Sequence, residues 1–296
     1  MFRPACVIYL TFEFAKECNV YVVRPSAQKA NSLGGTMKTI TAIVALCLFV
    51  LGPSSAQPAW AWGGDGHRTV AAIAFKLLAP TKAAALAPAL AAIRGGESFV
   101  GHYVNWPEGA ADVPSSACTP DCILQELPKQ IDVFRTTVDL ETKALALSWV
   151  IHLIGDLHQP LHVADRGDRG GNDFPVSYRN RATFNGGAPE RHSVRVELHS
   201  VWDTCIVVEI ESGAAPVDFA DALRGTLTTY RGHPAATGDI MDWASESHDL
   251  ASSAAYDGLS HRADLEQPYI SRTSPIVQRQ LLRPGVRLAK VLDENF

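Results

Sequence analysis

From residue 62 to the C-terminus, apolar residues recur every three or four positions rather than every second one, the pattern of helices that bury one face. The spacing predicts helices near 66–79, 82–93, 140–158, 199–211, 216–231, 239–254 and 275–292. No segment alternates well enough to give a strand series. The stretch 165–195, with Gly167, Gly170, Gly171, Gly186, Gly187 and many charges, reads as a long loop or loose hairpin. Loops of that length in a compact domain are often functional. The expected fold class is therefore all-α, a helical domain with one long Gly-rich loop.

The front of the chain follows a different pattern. Met37-Lys38-Thr39 leads into an apolar run from Ile40 to Gly52, and a small-residue stretch then ends in Ala59-Trp60-Ala61. A charged start, a short apolar core and an A-x-A site make a secretory signal peptide over residues 37–61. A membrane anchor needs about 20 apolar residues, more than this run holds before Gly52-Pro53 interrupts it. Residues 1–36 precede a good initiator methionine and read as an upstream extension outside the fold. Cleavage after Ala61 leaves a single domain, residues 62–296, that begins with Trp62 and suits secretion or a periplasm.

Charge narrows the partners. The trimmed chain holds 21 basic and 29 acidic residues, a formal charge of −8. That is the wrong sign for holding nucleic acid by a basic surface, so a polyanionic partner requires positive charge that the sequence does not encode. Only Cys118, Cys122 and Cys205 follow the cleavage site. In an exported protein the close pair Cys118/Cys122 reads as a small disulfide, which leaves Cys205 free or intermolecular. As metal ligands the cysteines are less persuasive, because no second Cys pair or suitably spaced His accompanies them.

The densest chemistry lies in Trp149-Val-Ile-His152-Leu-Ile-Gly-Asp156-Leu-His158-Gln-Pro-Leu-His162. His152 and Asp156 are four apart, so on a helix they stand one turn above another and can grip one metal. Pro160 should end that helix and turn His162 toward a different point. The spacing recurs at His199-Ser-Val-Trp-Asp203. One such pair is more often a hydrogen-bonded His beside an Asp; two of them, with further histidines, favour a metal cluster.

The trimmed N-terminus adds Trp62-Gly63-Gly64-Asp65-Gly66-His67. A free Trp62 amine and its carbonyl oxygen can chelate a metal through a five-membered ring, with His67 as a further ligand. Binding there must displace the proton of the α-amino group at neutral pH. Taken alone, the segment reads as a flexible Gly-rich terminus with an incidental histidine.

These segments together resemble the S1/P1 nucleases, whose members share a zinc phospholipase C-like helical fold. The resemblance runs from WGGDGH at 62–67 through HYVN at 102–105, HLIGDLHQPLH at 152–162, DRGGND at 168–173, LHSVWD at 198–203 and WASESH at 243–248 to GVRLAKVL at 285–292. It implies three zinc ions: one on Trp62, His67 and Asp156; a second on His102, His152 and the bridging Asp156; a third on His162, His199 and Asp203. It also implies that Asn172 lies beside the substrate phosphate, that His158 is no ligand and that Trp202 packs. The chain departs from the pattern in one place. Family members carry a Trp-Ala-Asp segment before HYVN whose Asp completes the His102 site, and this chain lacks it; Glu97, Glu108 and Asp112 are the candidates to replace it.

The resemblance implies a monomeric hydrolase that cuts single-stranded DNA or RNA to 5′-phosphorylated products, with 3′-nucleotidase activity. Phe174 and Tyr178 are candidates for an aromatic wall on which a base stacks, or else core residues. Two alternatives compete: a phospholipase C-like phosphodiesterase, and a degenerate zinc-binding protein without the missing ligand.

Overall fold

The computed structural model describes residues 62–92, 101–118, 121–181, 191–225 and 227–296. Its organising element is a helix over Leu140–Asp156, whose last turns are buried on every side from Val150 to Asp156. Asp139 caps its first turn by accepting the backbone N–H of Thr142 at 2.8 Å. We label it α4; before it come α1 (Gly63–Leu77), α2 (Pro80–Ala92) and α3 (Ile123–Thr136). After it, β1 (Pro175–Arg181) and β2 (Arg191–Glu197) precede α5 (Leu198–Ser200), a π-helical turn Val201–Cys205 and α6 (Ile206–Glu211). The chain ends with α7 (Pro216–Arg224), α8 (Ile240–Leu250), β3 (Asp264–Leu265) and α9 (Gln267–Asn295).

The helices form one layered bundle. α1 lies against α9 and α7, while α4 is flanked by α2, α3 and α9. Their shared core includes Ile73 of α1, Leu147 and Ile154 of α4, and Leu281 and Leu288 of α9, all fully buried. Among the described residues, no helix is long and apolar enough to cross a membrane.

The all-α expectation stands, with four differences in detail. α3 was not predicted; Ile123, Leu127, Ile131 and Phe134 recur at helical spacing and pack inward, with Pro128 inside the helix. The helix expected to reach 231 stops at Arg224, where Gly225 takes a φ of 51° and ends the turn. The region read as a loop or loose hairpin is in part a true hairpin: β1 pairs antiparallel with β2, Pro175 opposite Glu197, and β3 joins parallel to β1. The helix expected from 275 begins eight residues earlier, with Pro268 in its first turn and Pro275 and Pro284 inside it.

Candidate metal centre

At the buried end of α4, the Asp156 carboxylate is fully enclosed and faces imidazoles from three parts of the chain. His67 of α1 points Nε2 at Oδ1, 3.1 Å away. His152, one turn earlier on α4, points Nε2 at Oδ2 at 3.0 Å, and His102 brings Nδ1 to the same oxygen at 3.0 Å. His102 stands on the extended segment after Gly101, which runs beside the turn at His162 through a Val104 N–H to His162 carbonyl bond of 2.8 Å. The His67 ring can lie flat along α4 because residue 155 is glycine: a Cβ there would stand 2.6 Å from His67 Nδ1. His67 and His152 stack with centroids 4.4 Å apart.

A second group adjoins the first. His162 and His199 bring their Nε2 atoms within 2.9 Å of each other, and His199 Nε2 lies 3.2 Å from Oδ2 of Asp203. Nδ1 of His199 faces the Gly170 carbonyl at 2.6 Å, and Nδ1 of His162 faces the His102 carbonyl at 3.1 Å. A carbonyl only accepts, so each Nδ1 carries a proton and each ring turns its Nε2 toward the other. Burial would lower His199, but the charge and hydrogen bond of Asp203 outweigh it and raise it, so either a proton on Nε2 or a cation between the rings relieves the contact. His199 and Asp203 reach this geometry from the π-helical turn, a form of bulge often found at functional sites.

The electrostatics fit a cation in both groups. Burial pushes His152 down to about 4, so this imidazole is neutral at physiological pH. Burial lowers His162 as well, against the pull of Asp156 and Asp203. Burial would raise Asp156, but His152 and His162 and the hydrogen bonds from His102 and His152 outweigh it and hold the carboxyl well below its usual range. Neither ring nitrogen of buried His67 makes a hydrogen bond, and neither does Asp156 Oδ1, although two of these atoms lie close together. Three sets here bring their ligand atoms within 4.8 Å of one another, close enough to share an ion: His67/His152/Asp156, His102/Asp156/His162 and His162/His199/Asp203.

Comparison with known proteins agrees. The S1/P1 Nuclease family model matches residues 92–296, a span that holds every residue of this centre except His67. The chain belongs to the S1/P1 nuclease family. It is accordingly a hydrolase of phosphodiester bonds. Endonuclease 2 of Arabidopsis thaliana is 27% identical over 277 residues, spanning 79% of this chain and 90% of the relative. Nuclease S1 of Aspergillus oryzae is 25% identical over 80% of this chain and 93% of its own length. Nuclease P1 of Penicillium citrinum is 24% identical over 79% and 97% respectively.

Around the centre of this S1/P1 nuclease, Trp62 is fully buried with its indole N–H on the Gly155 carbonyl at 2.8 Å, while its own carbonyl accepts the Gly66 N–H at 2.9 Å. Asn172 is half-buried on the turn whose Gly170 carbonyl orients His199, with its amide donating to the Arg169 carbonyl at 2.8 Å. Trp202 is fully buried and donates to Tyr269 at 2.7 Å, a packing residue. Of the candidates for the missing acidic ligand, Glu97 lies outside the described residues, Glu108 pairs with Arg166, and Asp112 is exposed outside all three sets.

Phe174 and Tyr178 are core residues: Phe174 packs edge-on against Tyr256, and Tyr178 is fully buried with its hydroxyl toward Glu209. The exposed ring beside the centre is instead Tyr103, 46% exposed and edge-on to His102. Cys118 and Cys122 form the expected disulfide. Cys205 is buried at the end of the π-helical turn.

Two supports lacked an obvious sequence signal. His158 is held neutral by burial and by Arg287, whose Nη1 donates to its Nε2 at 2.7 Å, while Arg287 also pairs with Glu246 at 2.7 Å. Asp168 accepts from Tyr256 at 2.9 Å and from the Gly171 N–H at 3.0 Å, which ties the 168–173 turn to the bundle.

Proposed function

We propose that this hydrolase is a zinc-dependent nuclease that cuts single-stranded DNA or RNA to 5′-phosphorylated products and also removes phosphate from 3′-nucleotides. The observation that carries the reading is the convergence of His67, His102 and His152 on the two oxygens of one buried carboxylate, Asp156. His67 faces Oδ1 while His102 and His152 face Oδ2, which favours Asp156 as a bridge between two ions. Trp62, as the first residue after signal-peptide removal, would offer its amine and carbonyl beside His67. His162, His199 and Asp203 would hold a third ion. Bound zinc supplies a water of lowered pKa and positive charge against the phosphate.

The protein's own residues do the rest. Nδ1 anchoring by the Gly170 and His102 carbonyls fixes the tautomers of His199 and His162, so both rings meet a cation without rearranging. Asn172 directs its amide to a phosphate oxygen, and Tyr103 offers a face for an unpaired base. Hydrolysis adds water to phosphorus and breaks the bond to the 3′-oxygen, leaving the phosphate on the 5′ side. A duplex keeps its bases paired and away from Tyr103, which favours single strands. The metals also supply the positive charge that an acidic chain lacks for a polyanion.

The Cys118–Cys122 disulfide supports action outside the cytoplasm. The test is an assay of purified, zinc-loaded protein on single-stranded DNA, duplex DNA, 3′-AMP and phosphatidylcholine vesicles. Preferential cleavage of the single strand with release of phosphate from 3′-AMP supports the reading. Hydrolysis of lipid alone would replace it with the phospholipase alternative, and zinc binding with no hydrolysis with the degenerate one.

A further inference from the structure

Gln159 is fully buried between the two helical runs that carry the metal-facing residues, and it belongs to none of the three ligand sets. Its Nε2 donates to Oδ1 of Asp203 at 2.5 Å, and its Oε1 accepts the Leu161 N–H at 2.6 Å. The second bond caps the tight turn Pro160–His162, so one amide restrains both the turn that presents His162 and the carboxylate that faces His199. The orientation of the amide is dictated by its partners. A backbone N–H only donates and a carboxylate only accepts, so the oxygen must face Leu161 and the NH2 must face Asp203. With Oδ1 of Asp203 occupied in this way, Oδ2 is the oxygen turned to His199 Nε2, 3.2 Å away.

We infer that Gln159 is a positioning residue for one metal of the cluster, the one on His162, His199 and Asp203, and sets how tightly that ion is held while leaving those around Asp156 untouched. The inference rests on the metal-centre reading above. A buried amide with both ends engaged restricts the carboxylate to one rotamer before any ion arrives. Without it, Asp203 must be ordered by the ion itself, and affinity falls. Partners of this kind alter metal affinity about 10- to 100-fold when removed.

The test is the zinc content of the full exported protein, measured by atomic spectroscopy across a graded series of chelator concentrations, for the wild type and Gln159→Leu. The expected result is that Gln159→Leu gives up one ion at a chelator concentration about 10- to 100-fold lower than the wild type does, and retains the remaining ions like the wild type. A merely structural role would instead release all ions together or lower the melting temperature of the metal-free protein. If Gln159→Leu does not fold, Gln159→Glu decides the same question, since it keeps the side-chain length and the acceptor for Leu161 but sets an oxygen against Asp203. Release profiles matching the wild type, or simultaneous loss of all ions, would overturn the inference while leaving the metal centre standing. A wild-type protein that binds no zinc would instead overturn the reading beneath it.

Discussion

His162 and His199 meet Nε2 to Nε2 at 2.9 Å, each with its Nδ1 engaged by a backbone carbonyl. Two imidazole nitrogens at that separation need a proton or a cation between them, and a bound cation leaves Asp203 and both rings matched. Stripping metal with a chelator should therefore destabilise the fold as well as stop hydrolysis. Saturation at about a thousand times the dissociation constant contributes about 4 kcal/mol. Calorimetry with and without chelator should show the melting temperature fall and recover on adding zinc; an unchanged melting temperature would count against a structural cluster.

Asp156 faces more imidazoles than any other carboxylate of the centre. Asp156→Asn should lower hydrolysis of single-stranded DNA by at least about 100-fold and reduce zinc content by more than one ion, since outer partners alone are worth 10- to 100-fold. Kinetics paired with metal analysis checks both halves.

Gly170 has φ of 60°, and a Cβ there would stand 2.1 Å from the Leu161 carbonyl. Gly170→Ala should cost about 1–3 kcal/mol in overpacking and strain. The same shift displaces the carbonyl that orients His199, so activity should fall along with the thermal midpoint. Unaltered thermal unfolding would show that the turn relaxes freely.

Tyr103→Ala should raise KM for a single-stranded oligonucleotide about tenfold, given 1–3 kcal/mol for one base stacked on an aromatic ring. An oligonucleotide with an abasic site at that position should be cut equally well by both proteins. Equal KM values on the intact oligonucleotide would assign the stacking face elsewhere.

His158 is kept neutral by burial and by Arg287, well below its ordinary value. A folded pKa lowered from about 6.5 means that the unfolded chain binds more protons below that pH, so stability is lost as pH falls from 6.5. His158→Gln, which does not titrate, should show a shallower loss over that window in metal-free protein. The remaining slope belongs in part to His152 and His162, which are shifted in the same direction. Parallel slopes for the two proteins would contradict the assignment.

Much of this centre was legible in the sequence because its grammar is local. His152 and Asp156, and His199 and Asp203, declare themselves by a spacing of four on predicted helices, and both pairs do face each other at 3.0 and 3.2 Å. Tertiary contacts were not legible. Gln159 looks like an ordinary residue before a proline, and its role exists only because Asp203, 44 positions away, folds onto it. Tyr103 and Tyr178 are the same residue type, and only packing makes one exposed and the other core. α3 carries conflicting local signals, four well-spaced apolar residues with Pro128 among them, and only packing resolves them.

The central claim is tested most directly by the zinc content of correctly trimmed, exported protein, quantified alongside the identity of its first residue. The account predicts an N-terminal Trp62 and three zinc ions per chain. A chain that begins there and retains no more than a trace of zinc would contradict it.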